Sequence, residues 1–299
     1  MVLSIIICTY NREHFLKKCL ASIINQVKEH KDFSLIEILI IDNNSQDQTK
    51  NLIQKIQGST SLQINYLIEY QQGLSYARNR GINESKGIYL AFVDDDATIL
   101  PLWIETLMNG IKNIQADVYG GPIFPNYEIT LPSWIDRNYF IRKFKNKDGY
   151  LNAILKREGF SGGNMCIKKE IFDAIGTFNV NLGMIGGELG LGEESEFFYR
   201  LYNYNKRCKL YNLDKMAISH FEGKEKLTKD YLRSRITLSG LQFSKRTIQK
   251  EGALGSFIVI IKIIKQTSSS LFYLLLNNKF KRLKGYWITK GLLSGIKRE

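Results

Sequence analysis

Four short apolar runs punctuate the first hundred residues, and a segment of helical spacing separates each from the next. The runs are Val2 to Thr9, Ile36 to Ile41, Leu62 to Ile68 and Gly87 to Val93. Runs of this length, rich in β-branched residues, read as strands buried on both faces. Within Arg12 to Gln26, the residues Phe15, Leu16, Cys19, Leu20, Ile23 and Ile24 recur on one helical face. Gln48 to Ile56, with Asp47 as its N-cap, and Gly73 to Glu84 read as further helices. Strand and helix in alternation, joined by short loops, predict a mostly parallel sheet with helices on both sides. The expected class is α/β, a Rossmann-like three-layer α/β/α sandwich.

The fourth run ends in three carboxylates, Asp94, Asp95 and Asp96. A strand that closes on such a triplet gathers negative charge at the mouth of a sheet. Like charges so close raise one another's pKa unless a cation neutralises them. A hard divalent ion with oxygen ligands is the simplest neutraliser. The carboxyl end of a strand is also where open α/β sheets hold their ligands. The plainer reading is a solvated acidic turn before a helix near Pro101 and Trp103.

The second half is less regular. Val118 to Phe124 reads as a strand interrupted by Gly120 and Gly121. Phe160 to Ile167 is a glycine-marked turn entering a strand, and Glu170 to Ile175 a short helix. Gly183 to Gly192 holds Gly183, Gly186, Gly187, Gly190 and Gly192 and is expected to be a mobile loop, since glycine supplies no core. Glu193 to Asn203 reads as a helix and Cys208 to Ser219 as a strand. Trp134 and Tyr139 suit either core packing or stacking on a sugar.

Hydrophobic residues at 44% and charged residues at 24% describe a globular protein. The four cysteines form no Cys-x-x-Cys pair, which fits reduced thiols better than disulfides or zinc. Met1 to Cys8 is strand-like and has no basic leader, so no signal peptide is expected. The net charge is +13, and from Lys245 to Glu299 twelve Lys and Arg face two Glu. A nucleic-acid-binding fold would spread its basic charge more evenly, so no nucleic acid is expected as a partner. Here Lys alternates with apolar clusters such as Phe257 to Lys265, Leu271 to Leu276 and Lys279 to Arg282. These clusters are too short to span a bilayer but suit an anionic membrane surface. A helical pair packed on the catalytic domain is the competing expectation. The expected division is a catalytic domain over 1–223 and a basic helical extension over 224–299.

Five motifs occur in order: Ser4-Ile-Ile-Ile-Cys-Thr-Tyr-Asn-Arg12, Ile41-Asp-Asn-Asn-Ser45, Gly73-Leu-Ser-Tyr-Ala-Arg-Asn-Arg-Gly81, Val93-Asp-Asp-Asp96 and Gly192-Glu-Glu-Ser-Glu-Phe197. Together they resemble the family 2 glycosyltransferases of the GT-A fold, over about residues 1 to 220. The resemblance implies an inverting enzyme that moves a sugar from a nucleotide-sugar donor, most simply UDP-linked. The acceptor would be a saccharide or a lipid-linked saccharide in cell-surface polysaccharide synthesis. It would work in the cytoplasm, held peripherally at the inner face of the membrane.

The same resemblance implies roles for single residues. Thr9, Tyr10 and Arg12 lie on the turn that receives the nucleotide base. Asp42 corresponds to the residue that accepts a hydrogen bond from uracil, and Arg78 to the helix arginine that reaches base or diphosphate. Asp94 and Asp95 would lie near ribose and diphosphate. Asp96 would ligate Mn²⁺ or Mg²⁺, with His220 as a further ligand. Glu194 stands where family members commonly have Asp as general base; Glu193 remains the alternative. Gly162, Gly163 and Asn164 resemble a loop that approaches donor or acceptor. Two rival readings make their own demands on the sequence. A nucleotidyltransferase needs a glycine-rich loop after the first strand, and Cys8 to Glu13 contains no glycine. A degenerate scaffold would have lost the acidic triplet or the Glu pair.

Overall fold

The apolar runs of the first hundred residues form the strands they predict. In the computed structural model, β1 (Leu3–Thr9), β2 (Ile36–Asp42), β3 (Gln63–Ile68) and β4 (Tyr89–Val93) alternate with α1 (Glu13–Glu29), α2 (Thr49–Gly58) and α3 (Leu74–Glu84). The residues described are 1–144, 148–151, 159–186, 188–276 and 278–296. Gly187 of the glycine-dense stretch and residues 297–299 of the basic tail lie outside them. The remaining strands are β5 (Ala97–Ile99), β6 (Val118–Gly120), β7 (Ile123–Tyr127), β8 (Gly149–Tyr150), β9 (Asn164–Lys168), β10 (Leu210–Asn212) and β11 (Ile218–Glu222). The remaining helices are α4 (Trp103–Asn113), α5 (Lys169–Ile175), α6 (Glu193–Tyr204), α7 (Lys229–Leu275) and α8 (Lys279–Ile296).

Eight strands form one sheet in the order β3-β2-β1-β4-β9-β6-β10-β8. The first four are parallel, β9 is antiparallel to both its neighbours, and β8 is antiparallel to β10. Side chains alternate across the sheet with the period of two that a strand imposes. Leu3, Ile5 and Ile7 pack on one face with Leu16, Leu20, Ile53 and Trp103 from α1, α2 and α4. Ile6, Leu39 and Phe92 face the other side, against Ala77, Phe172, Phe197 and Leu201 from α3, α5 and α6. With both faces covered, β1, β2 and β4 are almost wholly apolar, and the buried Ser4 hydroxyl donates to Glu37. β3, at the sheet edge, is not buried on both faces as expected: Gln63 and Asn65 are exposed.

Two expected strands each divide in two. Val118 to Phe124 splits into β6 and β7 around Gly121, where a Cβ would lie 1.9 Å from the Met216 carbonyl oxygen. Cys208 to Ser219 splits into β10 and β11, and β11 runs on to Glu222. β11 joins a second, three-stranded sheet in the order β5-β11-β7. β5 follows the acidic triplet directly and pairs antiparallel with β11, placing His220 opposite Ala97.

The chain divides into two compact units, Met1–Asn126 with Ile141–Phe221, and Tyr127–Phe140 with Glu222–Glu299. In the second unit the helical run α7 breaks at Gly252, whose φ of 55° favours glycine. α8 packs against both arms of α7 at small residues. A Cβ on Gly291 would lie 2.0 Å from the Thr237 carbonyl oxygen, and one on Gly285 would lie 2.0 Å from Ser270 Oγ. Trp134 and Tyr139 belong to this unit. Their rings stand 6.0 and 5.0 Å from that of Phe280, as core.

Candidate active site

The loops at the carboxyl ends of β1, β2 and β4 converge. The Asn43 N–H donates to the Thr9 carbonyl at 2.8 Å. Asn11 takes a left-handed φ of 53°. Its N–H donates to Ser45 Oγ, and its side-chain oxygen accepts from the Gln46 N–H. Asn11 therefore ties two loops together. Asp47 precedes α2 and accepts the Thr49 N–H, while its other oxygen accepts the Glu13 N–H at the start of α1. One carboxylate thus serves two helix starts, where the helix dipole favours negative charge. Tyr10 is half-buried on the same turn.

Asp42 ends β2 and is buried. Its Oδ1 accepts the Ser45 N–H at 2.8 Å, and its Oδ2 accepts the Tyr66 hydroxyl at 2.5 Å. Tyr66 is a partner that the sequence did not single out. Its only signal is a place in β3, next to the strand that carries Asp42.

The three aspartates do not act alike. Asp94 and Asp96 turn toward His220, whose Nε2 lies 3.7 Å from Asp94 Oδ2 and 3.1 Å from Asp96 Oδ1. One ligand atom from each of the three residues falls within 4.8 Å of the others. Neighbouring ligands of a small octahedral ion stand about 3 Å apart, so two carboxylates and an imidazole at these distances fit Mn²⁺ or Mg²⁺. Asp95 is buried instead. Its Oδ2 accepts the Thr9 hydroxyl at 2.8 Å, and its Oδ1 accepts Arg12 NH1 at 3.2 Å. Asp95 thus bonds to the β1 turn rather than joining the cluster. The same Arg12 nitrogen lies 3.2 Å from Asp96 Oδ2.

Arg78, on α3, is buried beneath these groups. NH2 lies 3.5 Å from Asp94 Oδ1, and NH1 lies 3.4 Å from Glu193 Oε1 and 3.3 Å from Glu194 Oε1. It is the shared cation of the acidic motif and the start of α6. Burial works against its charge, but Glu194, Asp94 and Glu193 outweigh that and raise its pKa. Arg80 points away to Glu84 at 3.0 Å. Glu194 Oε1 also accepts the Gly162 N–H at 3.1 Å. A Cβ on Gly162 would lie 2.2 Å from that oxygen, and one on Gly163 would lie 2.2 Å from Asp94 Oδ2. The double glycine is what lets β9 begin against these carboxylates. Asn164 serves the core instead, joining Trp103 Nε1 to the Met216 carbonyl.

The glycine-dense stretch before α6 is tethered at its start. Ser75 Oγ donates to the Leu182 carbonyl and the Leu74 N–H to the Met184 carbonyl, each at 2.8 Å.

The electrostatics separate the carboxylates. Burial pushes Asp95 up to about 7 against the pull of Arg12. Burial raises Asp94 too, but the His220 hydrogen bond and the charge of Arg78 outweigh it, leaving it well below the usual range. Burial, joined by Glu194, pushes Glu193 from 4.5 up to about 7 against Arg78. Glu193 Oε2 is buried, with no hydrogen-bond partner among the described residues. A carboxyl whose native pKa exceeds its unfolded value favours the folded state most below the unfolded value. That contribution is lost as pH rises through the native value. Glu193 therefore lowers stability progressively as pH rises from about 4.5 to 7, and the full cost persists above that. Glu193→Gln is expected to flatten the fall in unfolding free energy over that window by about 1–3 kcal/mol, read from urea midpoints against pH. Equal slopes in parent and variant would remove Glu193 as the source.

The family model described as "Glycosyl transferase family 2" matches residues 4–176. The chain belongs to glycosyl transferase family 2. It is an enzyme of the glycosyltransferase type. The transferase is 24% identical over 215 residues to "Glucosyl-dolichyl phosphate glucuronosyltransferase" of Haloferax volcanii, covering 71% of this chain and 67% of that one. Across three curated relatives it spans between 37% and 67% of their length. Its fold is similar to that of S. aureus TarS 1-349 in complex with UDP-GlcNAc, with TM-score 0.59 and 17% identity over 99% of this chain and 92% of that one. It is similar too to the mannosyltransferase PcManGT of Pyrobaculum calidifontis in complex with GDP-Man and Mn2+, with TM-score 0.63 and 14% identity over 99% and 88%. These likenesses establish the GT-A α/β fold of the transferase.

Proposed function

We propose that the transferase moves a sugar from a UDP-linked donor to a saccharide or lipid-linked saccharide acceptor, with inversion, in polysaccharide or glycolipid synthesis. The observation that carries this reading is the cluster of Asp94, Asp96 and His220, in which Asp94 is tied through the buried Arg78 to Glu194. The relatives support it by what they bind or act on: UDP-GlcNAc, GDP-Man with Mn2+, and a dolichyl phosphate saccharide.

In this reading Thr9, Tyr10 and Asp42 form the base end of the donor site. Tyr66 fixes the Asp42 carboxylate so that it presents an acceptor to a ring N–H. A divalent ion held by Asp94, Asp96 and His220 would neutralise charge that grows on the departing diphosphate. Arg12 and Arg78 balance the remaining carboxylates, and Asp95 anchors the β1 turn through Thr9. Glu194 takes the proton of the acceptor hydroxyl as its oxygen bonds to the anomeric carbon and the bond to the diphosphate breaks. A single displacement of this kind inverts the anomeric centre. We place the enzyme at the cytoplasmic face of a membrane, with the basic second unit on anionic lipid.

Thermal shift with UDP, GDP and ADP, each with and without Mn²⁺, tests the donor site. UDP with Mn²⁺ at saturation is expected to raise the melting temperature by about 5 °C and to exceed the other pairs. If no diphosphate stabilises the protein, the donor assignment fails. Equal stabilisation by UDP with and without metal would remove the metal role of Asp94 and Asp96.

A further inference from the structure

We propose that the arm of α7 beyond Gly252 lies flat in the headgroup region of an anionic bilayer, with one apolar ridge inserted. This deepens the membrane-associated reading given above and rests on it. The arm is apolar on two sides. Its inner side is occupied: Val259 is fully buried in a cluster with Ile248 and Leu292, and Gln266 and Ser270 meet Gly285 of α8. Its outer side carries Leu254, Phe257, Ile261, Ile264, Leu271 and Phe272, each between 49% and 61% exposed. Leu254, Phe257, Ile261 and Ile264 follow at intervals of three and four, and Leu271 and Phe272 fall on the same helical face two turns further on. The core of the unit does not need them, and soluble monomers rarely expose an apolar ridge of this length.

Charge selects the occupant. No acidic residue occurs from Gly252 to Arg298. Lys265 is exposed on the arm and Lys279 at the start of α8, while Lys262 folds inward over the Phe243 ring at 3.2 Å. A second copy meeting this ridge would bring the same positive charge, so self-association through it is opposed. A bilayer bearing anionic headgroups offers apolar depth and negative charge together. Among the described residues no helix is long and apolar enough to cross a membrane. The arm therefore rests on the surface.

The full chain is tested by sedimentation with phosphatidylcholine vesicles, with and without phosphatidylglycerol, at low and high salt. The parent is expected to bind anionic vesicles at least about tenfold more tightly than neutral ones, and to lose that excess in high salt. The triple variant Phe257→Ser, Ile264→Ser, Phe272→Ser is expected to lose about 100-fold in vesicle affinity while keeping the UDP and Mn²⁺ melting shift. The pair Lys265→Glu, Lys279→Glu is expected to weaken binding to anionic vesicles alone. It keeps the test decisive if the serine variant fails to fold. A parent that ignores anionic vesicles overturns the proposal, as does a variant that binds like the parent. A parent that dimerises where the triple variant is monomeric assigns the ridge to a second copy instead. Vesicle binding without any UDP shift would leave the surface standing and sink the donor site.

Discussion

Asp96→Asn is expected to lower sugar transfer by about 1,000-fold and to abolish the Mn²⁺-dependent part of the UDP melting shift. The size follows from the position of Asp96. One of its oxygens faces His220 at 3.1 Å and the other faces Arg12 at 3.2 Å. Asparagine keeps the shape but removes the charge that a divalent ion needs. Arg12 retains Asp95, so the turn after β1 keeps its ion pair. Initial rates with a UDP-sugar across a Mn²⁺ titration read the effect. Transfer within about tenfold of the parent would remove Asp96 from the reaction.

Glu194→Gln is expected to lower transfer by about 100- to 10,000-fold while leaving UDP and Mn²⁺ binding intact. Two observations favour Glu194 over Glu193 as the base. The side chain of Glu194 is 25% exposed and that of Glu193 only 6%. The Gly162 N–H and Arg78 hold Glu194 Oε1 in place, which leaves its second oxygen for an acceptor hydroxyl. The glutamine carbonyl accepts the same Gly162 bond, so the loss isolates proton transfer from positioning. Glu193→Gln is the matched control. If that variant loses transfer and Glu194→Gln does not, the roles exchange.

The left half of the large sheet was legible because β1, β2 and β4 are buried on both faces and have no other pattern to follow. The site was legible in its members but not in their pairing. Three identical letters at Asp94 to Asp96 do not say that the middle one turns inward to Thr9 and Arg12. The resemblance places Arg78 at the base or diphosphate. Besides Asp94, its carboxylate partners Glu193 and Glu194 lie on α6, more than a hundred residues away, where spacing carries no distance information. Tyr66 sits in a run that reads only as a buried strand, and the register of β3 on β2 is what brings it near Asp42. Val118 to Phe124 and Cys208 to Ser219 each read as one strand because apolar residues flank Gly120-Gly121-Pro122 and Asp214-Lys215, where the breaks fall. The break after Gly120 is set by the close passage of Met216, a tertiary contact. The aromatic stretch around Trp134 gave no sign of its partner, because Phe280 enters from the far end of the chain.

The pairing of β5 with β11 has a consequence for biogenesis. During synthesis the chain emerges from its N-terminus, and Asp94 and Asp96 are complete long before His220 is translated. Until β11 arrives, Arg12 and Arg78, already translated, are the cations placed to shield the nascent acidic pair among the described residues. A ribosome-bound fragment ending before Ile218 would therefore carry Asp94 and Asp96 yet lack the imidazole of the proposed metal site, so ion capture there would wait for β11.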